Sequence, residues 1–223
     1  MTTTSSATAP QQQDISQRNA NSVVVLDFET TGLSPDQGDR AIEIGAVRLV
    51  NGQIHDRFQA LMNPGCRVSG FIEQYTGINN AMLADAAPCA KVMAEFADYL
   101  GDDNLVAHNA SFDRRFLIAE LQQIGYADVG EFACSMLTAR RIYPEAPNHK
   151  LGTLVRYKQL PTDGTYHRAL ADAEMTAHLW LRLLDDLGQK YALGAISFSL
   201  MQRLGKTAKG AVAKMLSRHP VNA

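Results

Sequence analysis

The stretch Val23–Leu33, VVVLDFETTGL, begins as an apolar run and ends in two acids, Asp27 and Glu29. Alternate residues of a strand point to opposite faces, and here both faces begin apolar. Such a strand is typical of the buried centre of an α/β sheet, where ligands collect beyond the carboxyl ends of the strands. The alternative is an edge strand with a solvated end, but the valines on the face of the acids argue against it. Adjacent carboxylates repel unless a proton or cation separates them, so the stretch predicts a divalent-metal site.

Size and composition describe one ordinary globular domain. The chain has 223 residues, 46% of them hydrophobic and 20% charged, which suits a single core with extensions and excludes fibrous or wholly disordered classes. The 3 cysteines are widely spaced without a CxxC pair, so neither a disulfide framework nor a zinc site is indicated. No apolar run approaches the ~20 residues that span a bilayer, and no signal-peptide pattern opens the chain. We expect a cytoplasmic protein that is neither secreted nor membrane-bound.

The charges are unevenly distributed along the chain. It has 21 basic and 23 acidic residues, but residues 188–223 contain six basic residues and no acid. An acidic body with a basic tail suits an enzyme that needs metal ions to approach a polyanion, although a solvated basic helix is the more common meaning. Residues 1–21 are rich in Thr, Ser, Ala, Gln and Asn, which predicts a disordered leader. We therefore expect this leader, one domain over residues 22–187 and a basic, helical extension over residues 188–223.

Hydrophobic patterns predict a sheet covered by helices. Strands over 41–50 and 53–62 flank an Asn51-Gly52 turn, which is a hairpin signal. Further short strands are predicted over 104–108 and from 132, and helices over 88–100, 112–124 and 168–187. Three strands followed by alternating helices and strands are typical of a mixed sheet with helices packed on it.

Three blocks carry acids at predicted strand ends or helix starts: LDFETTGL, HNASFDRRF and HRALADAEMT. Each block alone also fits a structural or solvated role; Asp113, for example, lies at a helix start, where the helix dipole favours an acid. The third block contains His167 and Asp172. Five helical residues turn about 500°, which would leave these two side chains ~140° apart on one helix. We therefore expect His167 in the loop before the helix, from which its imidazole can reach over a site built partly by Asp172.

In order, the acids and the histidine form a pattern of D-x-E, D and H-x4-D: Asp27, Glu29, Asp113, His167 and Asp172. This pattern resembles the three motifs of the DEDDh 3′-to-5′ exonucleases, most closely the DnaQ-like group of proofreading epsilon subunits of bacterial DNA polymerase III. The resemblance includes AIEIGAVRL at 41–49 and extends over 23–184. A sister branch has tyrosine four residues before the last acid, where this chain has Arg168, so the chain resembles the histidine branch. The implied fold is ribonuclease H-like, with a mixed five-stranded sheet flanked by helices.

The resemblance implies phosphodiester hydrolysis with two Mg²⁺ or Mn²⁺ ions held by four carboxylates. Asp27 would contact both ions, and Glu29 and Asp172 would complete the site nearer the attacking water. Asp113 would support the other ion directly or through water. His167 would accept a proton from the attacking water, because imidazole exchanges protons near neutral pH. Two ions ~3.5 to 4 Å apart can stabilise both the attacking and the leaving oxygen of an in-line displacement.

The resemblance also implies a seat for the terminal nucleotide. Thr30 and Leu33 would contact that nucleotide, and Phe112 would line the site. His108 matches the second motif of the family and is assigned to substrate binding with them. Leu33 and Phe112 fit a core-packing role equally well.

Two further positions, Thr76 and Glu43, are not assigned to catalysis or to substrate binding. Proofreading subunits carry a histidine and an acid before a Gly-Ile pair, and these reach the substrate. Here Thr76 directly precedes Gly77-Ile78, so that contact is not carried over. Glu43 lies on a predicted strand and is expected to be structural.

The function expected from the sequence is a metal-dependent 3′-to-5′ exonuclease that releases nucleoside 5′-monophosphates from single-stranded or frayed DNA ends, in proofreading or repair. A DNA polymerase or a sliding clamp is a candidate partner, and a stand-alone nuclease fits equally well. One alternative is an exoribonuclease of the same superfamily. Another is a non-catalytic module that binds nucleic acid or a polymerase. The sequence gives no prediction of the oligomeric state.

Overall fold

A computed structural model describes residues 18–126 and 129–218 of the chain. Six strands form one mixed sheet: β1 Val23–Thr30, β2 Ala41–Val50, β3 Gln53–Asn63, β4 Ala87–Pro88, β5 Leu105–Ala107 and β6 Phe132–Cys134. The helices are α1 Gly70–Thr76, α2 Asn80–Asp85, α3 Cys89–Leu100, α4 Ser111–Gln123, α5 Ser135–Ile142, α6 Leu151–Lys158, α7 Ala169–Tyr191, α8 Phe198–Lys206 and α9 Val212–Leu216. Short 3₁₀ turns lie at Pro35–Gln37 and Lys209–Ala211.

The first strand lies inside the sheet, as its two apolar faces predict. The strand order is β4-β3-β2-β1-β5-β6, with β1 antiparallel to β2 and parallel to β5. Val23 and Val25 belong to one core cluster with α7, whereas Val24 and Leu26 belong to another with α3 and α4. The sheet therefore separates two hydrophobic cores, and Asp27 continues the face that α7 covers.

The hairpin is formed as expected, whereas the number of strands differs. Asn51 and Gly52 both have positive φ, 50° and 77°, as a tight turn between antiparallel strands requires. The expected five strands become six, because Ala87–Pro88 pairs in parallel with the end of β3. A strand of two residues has no alternation that a sequence pattern can reveal.

The C-terminal segment packs against the body of the domain. Phe198, Met201 and Leu204 of α8 are buried in the core cluster that includes α7. The indole N–H of Trp180 donates a 2.7 Å hydrogen bond to the carbonyl of Ala20, and Arg18 pairs with Asp102. Residues 18–21, which precede the expected boundary at residue 22, thus contact the body of the domain. The rest of the expected leader, residues 1–17, lies outside the described residues.

No helix in the described part of the chain combines the length and the apolar character that crossing a bilayer requires. The longest, α7, has 23 residues, and it carries acids and basic residues along its length.

Candidate active site

Asp27 and Glu29 lie at the carboxyl end of β1, where its ladder with β2 is interrupted. Glu29 faces Glu43 across the pair, but the register then shifts, so that Thr30 lies opposite Ala41. This irregularity is a β-bulge, which bends a strand and is often found beside functional sites. Asp27, Glu29 and Thr30 all line one cleft.

Asp113 connects the second motif to this strand end. It lies in the first turn of α4, and its side chain is buried. Its Oδ1 accepts a 3.2 Å hydrogen bond from the backbone N–H of Phe28, between the two acids of β1. Asp113 does not line the open cleft, so it lies behind Asp27 rather than at the surface.

The third motif begins in the loop before α7, as expected for His167. The φ of His167 is 59°, a left-handed conformation, and α7 begins at Ala169. The backbone N–H of His167 donates a 2.8 Å hydrogen bond to Oδ2 of Asp172, in the first turn of the helix. The two side chains therefore lie side by side although they would diverge on a regular helix.

Glu43 holds the start of α7 in place. Its carboxylate is fully buried and accepts hydrogen bonds from the guanidinium of Arg168 at 2.8 and 3.1 Å. It also accepts a 3.0 Å bond from the N–H of Ala169, a group that the helix itself leaves unpaired. Arg168, the N-cap residue, makes no side-chain cap of its own. The expectation that Glu43 is structural agrees with these contacts.

Gly45 allows the helix to approach the sheet. It lies on β2 opposite Asp27, and a Cβ at this position would overlap the backbone of Ala169 and Leu170. The absence of a side chain therefore lets the first turn of α7 lie against the strands, which brings Asp172 to the acids of β1.

The carboxylates lie close enough to disfavour their simultaneous ionisation. Burial, followed by the charge of Asp172, raises the pKa of Glu29 to about 8. Burial raises the pKa of Asp113 to about 7, and it also raises that of Asp172. The pKa of Asp27 is raised well above its usual value by burial and then by the charges of Asp113 and Asp172. A cation between these groups would remove the repulsion.

The donor atoms of three of these residues suit a metal ion. One ligand atom each of Glu29, His167 and Asp172 lies within 4.8 Å of the others. Carboxylate oxygens are the preferred ligands of Mg²⁺ and Mn²⁺, and imidazole is compatible with several divalent metals. Asp27 borders the same cleft and interacts electrostatically with Asp172. The residues present thus fit a divalent-metal site.

The cleft beside the acids has a volume of about 790 Å³ and is lined by the residues assigned to substrate binding. Thr30 is buried, and its hydroxyl donates a 2.6 Å hydrogen bond to the carbonyl of Gly32, which orients the following turn. Leu33 is 77% exposed at the cleft, so a role in core packing does not apply to it. Phe112 is half-buried and contacts Phe116, 5.0 Å away between ring centroids.

His108 lines the same cleft, but both of its ring nitrogens are bonded within the protein. Nε2 lies 2.9 Å from the carbonyl of His149 and Nδ1 lies 2.8 Å from the hydroxyl of Ser135. Burial lowers its pKa to about 4, so the ring is neutral at pH 7. The carbonyl requires a donor, which assigns the proton to Nε2 and leaves Nδ1 to accept from Ser135. The bonded nitrogens make His108 a fixed part of the wall.

Two aromatic residues of α1 complete the cleft, and the sequence analysis missed them. Phe71 and Tyr75 are exposed and stack on each other, 5.8 Å apart between ring centroids. Tyr75 also stacks on His167, at 4.0 Å. Thr76, at the position noted as a departure, is buried and bonds within α1 through its hydroxyl. Exposed aromatic residues four apart on a helix were the available signal.

The family comparison agrees with this geometry. The model of an exonuclease family, RNase_T, matches residues 24–180, which contain all three motifs. The chain belongs to this exonuclease family. The matched region begins in β1 and ends in α7, so it includes both helices that contribute acids to the cleft.

Relatives of this exonuclease include much larger proteins. The chain is 40% identical over 169 residues to the PolC-type DNA polymerase III of Bacillus subtilis. The match extends over 75% of this chain and 12% of that protein. It is 39% identical over 172 residues to the 3′-5′ exonuclease DinG of Bacillus subtilis, over 77% of this chain and 18% of that protein. The chain thus spans less than a fifth of these relatives.

Solved structures share the fold. Exonuclease X in complex with 5′ overhanging duplex DNA has a TM-score of 0.64 and 28% identity, over 82% of this chain and 98% of that one. The nuclease domain of 3′hExo, a DEDDh family member bound to rAMP, has a TM-score of 0.62 and 22% identity, over 74% of this chain and 92% of that one, and supports the fold alone. The predicted resemblance to exonucleases and the ribonuclease H-like fold class are confirmed.

Proposed function

We propose that this exonuclease domain hydrolyses DNA from its 3′ end and releases nucleoside 5′-monophosphates in a reaction that requires divalent metal ions. One observation supports the proposal most strongly. Three carboxylates and a histidine from two distant motifs line one cleft, Asp27, Glu29, Asp172 and His167, and the carboxylate of Asp113 from the remaining motif is buried beside them on the N–H of Phe28. The raised pKa values of the acids indicate a need for positive charge in their midst.

We propose two ions, Mg²⁺ or Mn²⁺, held by these carboxylates. Asp27 would be shared, Glu29 and Asp172 would complete one site, and Asp113 would support the other from behind Asp27. When bound, such ions lower the pKa of water and stabilise charge on the attacking and leaving oxygens. The metal site and the substrate cleft coincide, because Asp27, Glu29 and Asp172 all border the cleft.

His167 is the proposed general base. Its ring lies beside Glu29 and Asp172, where it can take a proton from the attacking water. Two contacts orient His167. Its backbone N–H donates a hydrogen bond to Asp172, and its ring lies against the ring of Tyr75. A base that is already oriented avoids part of the entropic cost of reaching the transition state.

The terminal nucleotide would occupy the cleft between Thr30, Leu33 and Phe112. Leu33 and Phe112 offer exposed or half-exposed apolar surface for a base. Stacking of bases on aromatic side chains is worth ~1 to 3 kcal/mol and tolerates any base. His108 would support this wall by its bonds to Ser135 and His149 rather than by bonding the substrate.

DNA is the substrate that the relatives favour, because the proteins 39 to 40% identical to this chain are a DNA polymerase III and a 3′-5′ exonuclease. That likeness supports a proposed role in proofreading or repair in the cytoplasm, alongside a DNA polymerase, and a sliding clamp is a further proposed partner. RNA is the second candidate, since one neighbour of the same fold is a 3′-exonuclease that recognises a histone mRNA stem-loop. DNA and RNA oligomers of identical sequence would separate the two, because a DNA enzyme discriminates at the 2′-hydroxyl.

The test is release of labelled 3′ nucleotides with and without Mg²⁺. We expect the native chain to require the ion and Asp27→Ala to lose activity. Asp98→Ala, which changes an exposed acid of α3, is the matched control and should remain active. Equal activity in the native chain and Asp27→Ala would contradict the proposal, and no release by the native chain with Mg²⁺ would favour the non-catalytic binding module.

A further inference from the structure

The basic residues of this protein fall into two groups. Seven form ion pairs with acids: Arg18, Arg40, Arg48, Arg57, Lys158, Arg168 and Arg182. Others have no acid within ion-pair distance among residues 18–126 and 129–218. Three of these are exposed and lie on α4 or beside its first turn: Arg114, Arg115 and Lys206. Unpaired cations that border an acidic site are available to bind phosphate groups.

Arg115 lies at the outer edge of the cleft. Its guanidinium donates to the carbonyl of Leu33 at 3.4 Å and to that of Ser111 at 3.2 Å. Leu33 is the exposed residue that lines the cleft beside the proposed seat of the terminal nucleotide. The positive charge of Arg115 is therefore held next to the position where a strand would enter.

Arg114 and Lys206 line a second, smaller depression of about 120 Å³ beside the first turn of α4. Ser111 at the start of α4 borders this depression, whereas the next residue, Phe112, borders the cleft. The two hollows are thus separated by the first turn of α4. Gln202 of α8 adds an amide to the same depression.

The position of Lys206 is fixed by the packing of the C-terminal segment. Leu204 and Gly205 of α8 are buried, and Gly205 lies close to Leu137 of α5. Arg141 donates a 2.9 Å hydrogen bond to the carbonyl of Thr207, directly after Lys206. This basic segment is thus attached to the domain beside the active site.

We propose that Arg114, Arg115 and Lys206 form a phosphate-binding rim for the substrate strand. The rim holds the backbone of the nucleotides that precede the 3′ end, in the single strand that enters the cleft. It rests on the proposed function, because it assumes that a 3′ end occupies the cleft. Its physical role is to offset the repulsion between a polyanion and four clustered carboxylates.

The test measures binding rather than hydrolysis. Fluorescence anisotropy with a single-stranded DNA oligomer, in chelator so that no hydrolysis occurs, compares the native chain with the triple variant Arg114→Gln, Arg115→Gln and Lys206→Gln. Each lost phosphate contact reduces the slope of log K against log salt by about 0.7, so we expect a slope smaller by about 2 and an affinity lower by about tenfold or more near 0.1 M salt. Because the replaced side chains are exposed, the variant should keep the native circular dichroism spectrum.

Lys91→Gln is the matched control, since Lys91 is an exposed lysine of α3 that lies outside the rim. It should bind DNA as the native chain does. Equal affinity and slope in the triple variant, or an equal loss in Lys91→Gln, would overturn the proposal. So would a loss confined to a duplex with a 3′ overhang, which would assign the rim to the complementary strand. These outcomes are independent of the Mg²⁺-dependent hydrolysis that tests the proposed function.

Discussion

The backbone N–H of His167 donates a 2.8 Å hydrogen bond to Oδ2 of Asp172. One carboxylate thus has two functions in this account, because it is a candidate metal ligand and also fixes the loop of the candidate base. The bond requires His167 to lie outside the helix, and its φ of 59° agrees with that position. On a regular helix the two side chains would point ~140° apart.

Substitution of Asp172 separates these two functions. Asp172→Asn keeps a hydrogen-bond acceptor for the N–H of His167, whereas Asp172→Ala removes both acceptor and charge. We expect both variants to lose at least about a hundredfold in kcat, since even groups that only orient a metal ligand are worth 10- to 100-fold. In urea unfolding without metal, the Asn variant should be more stable than the Ala variant by about 1 kcal/mol. Equal stability would show that the bond does not hold the loop.

Gly45→Ala tests the close approach of α7 to the sheet. The added methyl would overlap the backbone at the start of α7, and overpacking of this kind costs ~1 to 3 kcal/mol. We expect lower stability in urea and a loss of activity, because displacement of α7 by the methyl group would move Asp172 away from Asp27. The control is Gly210→Ala, where a Cβ meets no atom within 4 Å. A Gly45→Ala variant of native stability and activity would contradict the role given to this residue.

Glu43→Gln tests the ion pair that anchors α7. Glu43 is buried and its partner Arg168 is partly exposed, so removal of the charge should destabilise the protein by ~2 to 4 kcal/mol. Activity should fall as well, since His167 precedes Arg168 in the same loop. The exposed pair of Arg57 and Glu174 is the control, and Glu174→Gln should cost less than about 1 kcal/mol. Similar losses in chemical denaturation of both variants would count against the anchor.

Without metal, the stability of the protein should depend on pH through the carboxylates. Burial, followed by the charge of Asp172, raises the pKa of Glu29 from its ordinary value of 4.5 to about 8 in the folded state, which therefore binds the proton more tightly between these values. The contribution of Glu29 to the free energy of unfolding is therefore largest below about pH 4.5. It falls as pH rises to about 8, by up to ~1.4 kcal/mol for each pH unit. Glu29→Gln should lack this contribution.

Urea unfolding of the native chain and of Glu29→Gln in chelator, from pH 5 to 8, measures the effect as a difference between the two proteins. We expect the native chain to become less stable relative to the variant as pH rises. Saturating Mn²⁺ should reduce the dependence on pH, because it offsets the repulsion between the acids. A difference that is independent of pH would contradict the electrostatic account.

Much of the fold and the site could be predicted from local patterns. The two apolar faces of 23–28 indicated an internal strand, Asn51-Gly52 indicated the hairpin, and the D-x-E, D and H-x4-D pattern named residues that lie at the cleft or, for Asp113, buried beside it. The geometric argument for His167 required only helical periodicity. These features depend on neighbouring residues, or on motifs that are recognisable in isolation.

The features that were missed depend on contacts between distant parts of the chain. Neither the contact of Gly45 with α7 nor the bonds from Glu43 to Arg168 can be seen in either segment alone. The strand Ala87–Pro88 is too short to show a period. Tyr75 contacts His167 only after folding, because the two residues are far apart in sequence.

The most direct test of the account uses one DNA oligomer labelled separately at its two ends. With Mg²⁺, the native chain should release mononucleotides from the 3′ label at once, while the 5′ label moves through a ladder of shortening products. His167→Ala should bind the oligomer in chelator as the native chain does but lose most turnover. The assignment of a 3′-to-5′ exonuclease with His167 as its base would be contradicted by internal cleavage, by release from the 5′ end, or by unchanged turnover in His167→Ala.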